Sequence, residues 1–128
     1  MRLETRSLGS SYSWDESDIS DLNWSNSSLR IVVEYWSRTD PTIRQHVEYC
    51  WPEVTRHRVL EESDLEQYWD AGNYEKGKFL FEVLSGGWLS NAKSEKINIW
   101  CGREWFIYTS NMSATVIASS EPLIREFQ

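Results

Sequence analysis

Between Lys78 and Ala118 four short runs of β-branched and aromatic residues follow one another, and this spacing constrains the fold more than any other feature of the chain. Lys78–Leu84 places Phe79, Phe81 and Val83 on one face of a strand and Leu80, Glu82 and Leu84 on the other. Gly86-Gly87 interrupts it. Ile97–Cys101 and Glu104–Ser110, separated by Gly102-Arg103, read as a β-hairpin, and Ser113–Ala118 reads as the next strand. Connections this short join antiparallel strands, because a parallel crossover needs a dozen residues or more.

Upstream the pattern is mixed. Leu29–Trp36 reads as a largely buried strand. Thr39-Asp40-Pro41 carries the cap and early proline of a helix start, and Ile43, Val47 and Cys50 then fall on one helical face that Pro52 ends. Val54–Leu60 reads as a strand. Ser63-x-x-Glu66 is a capping box that opens a helix with Leu65, Tyr68 and Trp69 on its apolar side, closed by Gly72. Ser120-Glu121-Pro122 starts a last short helix through Phe127. Runs of strands after helices predict an α+β fold, a mainly antiparallel sheet of about 5–6 strands with two to three short helices.

Residues 1–28 stand apart: nine are Ser, and the apolar residues among them keep no sustained period. Such a segment buries too little to offset its ordering entropy, so a mobile, acidic N-terminal arm is expected before a single domain spanning 29–128. At 128 residues the chain has no room for a second sizeable core.

Charge and motifs exclude several function classes. Thirteen Lys and Arg against 20 Asp and Glu leave a net charge of −7, which argues against nucleic acid as a partner. No apolar run reaches the roughly 18 residues that cross a bilayer, so no membrane partner is expected. The N-terminus lacks the apolar core of a signal peptide, and two Cys make no disulfide scaffold, which together predict a cytoplasmic protein. His46, Cys50, His57 and Cys101 lack zinc-finger spacing, and buried thiols account for both cysteines. Phosphate-binding Gly loops and G-x-S-x-G are absent. No catalytic residue, cofactor or metal site is assigned.

Two stretches stand out as candidate binding surfaces. Glu61–Glu75 holds six acidic residues (Glu61, Glu62, Asp64, Glu66, Asp70 and Glu75) and no Lys or Arg, interleaved with Tyr68, Trp69 and Tyr74. Concentrated negative charge steers a basic partner, and Trp and Tyr are favoured at binding hot spots. The second stretch is aromatic: Trp88, Trp100 and Trp105, with Glu82, Arg103 and Glu104 as polar neighbours, would suit the floor of a pocket for a small molecule or carbohydrate. The leading expectation is a non-catalytic module that binds a protein with a basic surface. A ligand-binding protein or small enzyme using the Trp-rich sheet is the alternative, and self-association, as in a homodimer, is the third. In size, acidity and aromatic content the chain resembles the small acidic immunity and inhibitor proteins with which bacteria block basic toxins. That resemblance is one of composition and assigns no residue.

Overall fold

A computed structural model describes residues 3–60, 77–88 and 102–127. They form nine strands: β1 (Glu4–Leu8), β2 (Glu16–Ser25), β3 (Ser28–Ser37), β4 (Asp40–Trp51), β5 (Arg56–Leu60), β6 (Leu80–Ser85), β7 (Arg103–Ile107), β8 (Ser113–Ala118) and β9 (Leu123–Phe127). Sheet A has the order β1-β6-β7-β8-β5 and sheet B the order β2-β3-β4-β9. Every pairing is antiparallel. The expected α+β architecture is therefore corrected to an all-β one, with no helix among the described residues.

The two sheets share one core. From sheet B come Leu29, Ile31, Val33 and Tyr35 on β3 and Val47, Tyr49 and Trp51 on β4; from sheet A come Leu80, Trp105, Ile107, Ala114, Val116 and Ala118. Within each strand these residues alternate, as a pleated strand requires, and each large one contributes roughly 1.5–3 kcal/mol by leaving water. Sheet B follows the usual rule of one dry face and one wet face. Sheet A does not. Its other face carries Phe81, Val83, Phe106, Thr115 and Ile117, all buried, with Leu3 and Leu60 joining Phe81, Val83 and Phe106 in a second apolar cluster.

Two expected helices are strands. The spacing Ile43, Val47, Cys50 suits a helix, but Val47, Tyr49 and Trp51 suit a strand equally, and it is these three that are buried, at 0%, 2% and 0% exposure, while Ile43 is exposed. Ser37 pairs with Asp40 to turn the chain back, so β4 lies against β3 from Gln45 to Trp51. Pro41, lacking an N–H, is tolerated because β9 pairs only with His46–Cys50. The segment after Ser120-Glu121-Pro122 is β9: five residues make a poor helix, and the open edge of β4 satisfies their backbone instead.

The Ser-rich N-terminal segment, expected as an arm preceding the fold, supplies one strand to each sheet. β2 escapes recognition because Ile19 and Leu22 are three apart and cannot share a face of a regular strand. The register slips between Ile19 and Asp21, so that Ile19 lies opposite Val33 and Leu22 opposite Ile31, both facing the core. Between β1 and β2 the chain crosses from sheet A to sheet B, stacking Tyr12 and Trp14 on Phe79 with ring centroids 5.6 and 5.1 Å apart. The helix opened by Ser63 and the strand Ile97–Cys101 lie outside the described residues. Glu104–Ser110, expected as the second half of a hairpin, overlaps β7, which is flanked in sheet A by β6 and β8.

Candidate functional site

The nine residues of the acidic-aromatic surface, Glu61, Glu62, Asp64, Glu66, Tyr68, Trp69, Asp70, Tyr74 and Glu75, lie outside the described residues, as does Trp100. The segment that carries them joins β5, one edge of sheet A, to β6, which sits beside the opposite edge.

Alternation separates the residues of the Trp-rich cluster. Trp105 faces sheet B, is fully buried, and its indole N–H donates to the Ala118 carbonyl at 3.1 Å. Arg103, two residues before it, shares that face and stacks its guanidinium over the Trp105 ring at 4.5 Å. Glu104 points the opposite way, 1% exposed, with its carboxylate against Gly87, where a Cβ would come within 2.6 Å of it. Trp88 lies beneath the Arg58 guanidinium at 4.5 Å. Arg103 and Trp105 therefore belong to one face, while Glu104 belongs to the other.

On the first face a charged cluster forms that the sequence hardly announces. Arg6 on β1 lies opposite Glu82 on β6, and Glu82 lies opposite Trp105 on β7. The Glu82 carboxylate accepts Arg103 Nε at 2.6 Å, Arg103 Nη2 at 3.0 Å and Arg6 Nη2 at 2.5 Å. Glu82 itself is 8% exposed. Hydrogen bonds from Arg103, then from Arg6, outweigh the penalty of burial and pull its pKa down to about 2. Glu82 and Arg103 were visible in sequence as polar residues beside aromatic ones; Arg6, 76 positions away from Glu82, was not.

The wet face of sheet B is a lattice of opposite charges. Arg30 donates to Asp21 at 2.7 Å and to Glu48, which also accepts from Arg125 at 2.8 Å. Arg44 pairs with Glu34 at 3.3 Å and lies over the Trp36 ring, and Arg38 pairs with Glu16 at 2.8 Å. The hydrogen bond from Arg30 is the main reason that the Glu48 carboxyl lies below the usual carboxylate range. Exposed pairs of this kind are each worth about 0–1 kcal/mol, but together they leave the face near neutrality.

Metal chemistry finds no constellation here. Among the described residues no three His, Cys, Asp or Glu side chains are grouped to hold an ion. His46 and Cys50, expected as neighbours on a helix, are four residues apart along β4 and so about 13 Å from each other. A cleft of about 180 Å³ lies between Ser13 and the β3–β4 hairpin, lined by Tyr35, Trp36, Ser37, Asp40, Ile43 and Gln45. It is smaller than the roughly 300–1,000 Å³ of most small-molecule sites and includes none of the candidate binding residues named from the sequence. No described helix is long and apolar enough to cross a membrane. Compared with protein-family models, with curated proteins and with solved structures, the chain matches none of them.

Proposed function

We propose that the protein is a non-catalytic binding module that docks a basic protein partner through the acidic, aromatic stretch Glu61–Glu75. One observation supports this reading above the others. Arg6, Arg30, Arg38, Arg44, Arg103 and Arg125 are each paired with a carboxylate of their own chain. Six arginines of the sandwich are thus matched by carboxylates of their own chain, whereas Glu61–Glu75 holds six carboxylates and no Lys or Arg. Much of the −7 net charge is concentrated in that one connection between β5 and β6.

Such a surface raises the encounter rate with a basic protein, and its aromatic side chains supply contact area at low entropic cost. Blocking a basic partner, as an inhibitor or immunity-type protein does, is the role this chemistry fits. The reading places the protein in the cytoplasm, a compartment that suits the free thiol of Cys50.

The test is affinity capture with mass spectrometry at low and at high salt, using the wild-type chain and a D64K/E66K/D70K variant. The expected result is a basic protein held at low salt and released at high salt, whose association rate falls about tenfold or more with the variant. A partner held equally well by both chains at both salts would overturn the reading.

A further inference from the structure

Among the described residues, Glu82 engages only part of the donor set of Arg6 and Arg103. Each guanidinium carries five N–H donors. Glu82 takes one from Arg6 and two from Arg103. Their common anchor, Glu82, is buried, and the Trp105 ring under Arg103 is itself fixed by its hydrogen bond to Ala118. The two arginine side chains remain 50% and 39% exposed, which leaves them accessible to a solute.

A second carboxylate stands in front of them. Glu121 Oε1, from the connection between β8 and β9, lies 3.9 Å from Arg6 Nη2 and 3.9 Å from Arg103 Nη2. That is beyond hydrogen-bond length for both, and the Glu121 side chain is 55% exposed. The arrangement is asymmetric: one carboxylate is buried and tightly bonded, the other exposed and attracted only through space. Two positioned arginines sharing a loosely held carboxylate have the chemistry of a fork for oxyanions, since guanidinium geometry matches two oxygens at once.

We propose that Arg6 and Arg103 bind an oxyanion that presents two oxygens in a fork, a carboxylate or a phosphate, and that Glu121 is the internal group this ligand displaces. With Glu121 in place the cluster holds two positive and two negative side chains, so exchange for a carboxylate conserves its charge and exchange for phosphate makes it more negative. The site uses none of the residues of the acidic stretch Glu61–Glu75 and would be a local anion receptor on an otherwise anionic protein. Affinity is expected to be weak in the wild type, because the ligand competes with Glu121 and meets the net charge of −7.

The experiment follows the side-chain Nε–H resonances of Arg6 and Arg103 during titration with inorganic phosphate or acetate, against sodium chloride at matched ionic strength. Glu121→Gln removes the competing charge from an exposed position and is expected to tighten binding about fivefold. Arg6→Gln in the same background is expected to abolish saturation while leaving the fold intact, which the amide spectrum reports. Saturation by phosphate alone would make the ligand a phosphate, saturation by acetate alone would make it a carboxylate, and saturation by both would establish a fork that accepts either oxyanion. If neither anion shifts these resonances more than chloride in the Glu121→Gln protein, or if Arg6→Gln leaves the response unchanged, the proposal falls.

Discussion

Ser17 and Ser110 hold each other through reciprocal hydrogen bonds. The Ser17 amide donates to the Ser110 hydroxyl oxygen at 2.8 Å, and the Ser110 amide donates to the Ser17 hydroxyl oxygen at 2.9 Å. Asn111 adds a bond from its side-chain amide to Asp18 at 3.0 Å. This contact latches β2, an edge strand of sheet B, to the connection between β7 and β8 in sheet A.

Ser110→Ala removes the acceptor of a buried amide, since Ser17 is only 1% exposed. The expected loss is about 1–3 kcal/mol in urea denaturation, with faster hydrogen exchange at the Ser17 amide. Adding Ser17→Ala should cost less than it does alone, because the two side chains act as one unit. Full additivity in the double-mutant cycle would refute the latch.

Glu82 makes stability depend on acid. Its folded pKa is about 2, below the value of about 4.3 for an unfolded glutamate, so between these limits the unfolded chain binds the extra proton. The stabilisation is complete above about pH 4.3 and is lost as the pH falls toward 2. Glu48, also lowered, acts in the same sense. Glu82→Gln is expected to cost about 2 kcal/mol at neutral pH, and the deficit should shrink as the pH falls through this window. An unchanged deficit at pH 2.5 and pH 7 would contradict the assignment.

The β2–β3 turn offers a stabilising substitution. Ser25 pairs with Ser28, leaving Asn26 and Ser27 as a two-residue loop with φ of 49° and 71°. Such loops prefer Asn-Gly, because glycine accepts positive φ without a steric cost. Ser27→Gly should raise stability by about 0.5 kcal/mol, after allowing for the added freedom of the unfolded chain, and should raise Tm. A lower Tm would show that the Ser27 side chain contributes more than its strain costs.

Gly77 makes the opposite case. Its φ is +87°, and a Cβ there would lie 2.7 Å from the Tyr12 carbonyl oxygen. The Tyr12 amide donates to Gly77 at 2.9 Å, and the Tyr12 hydroxyl donates to Glu126 at 2.9 Å. Burial, reinforced by Glu126, pushes the Tyr12 phenol well above its ordinary range. Gly77→Ala is expected to cost about 2 kcal/mol and to bring this phenol back toward about 10 in an ultraviolet titration. A titration curve identical to wild type would show that the crossing segment had absorbed the methyl group without moving Tyr12.

Legibility in the sequence followed the range of the interaction. Leu29–Trp36, Val54–Leu60, Lys78–Leu84 and Ser113–Ala118 overlap β3, β5, β6 and β8, since β-branched and aromatic runs declare a strand wherever the chain turns soon after. Val47, Tyr49 and Trp51 carried a strand pattern superimposed on the helical spacing of Ile43, Val47 and Cys50, and nothing local separates the two. The slipped residue between Ile19 and Asp21 erased the alternation of β2 altogether. Of the candidate sites, Arg103 and Glu82 were visible as polar residues near aromatic ones, but Arg6 and Glu121 join them only through pairing across sheet A and the return from β8 to β9. A helix satisfies its own backbone and can be read from its own residues. A strand needs a neighbour for its hydrogen bonds, so the choice of strand for β4 and β9, and the meeting of Arg6 with Glu82 across 76 residues, was made by the assembled sheets.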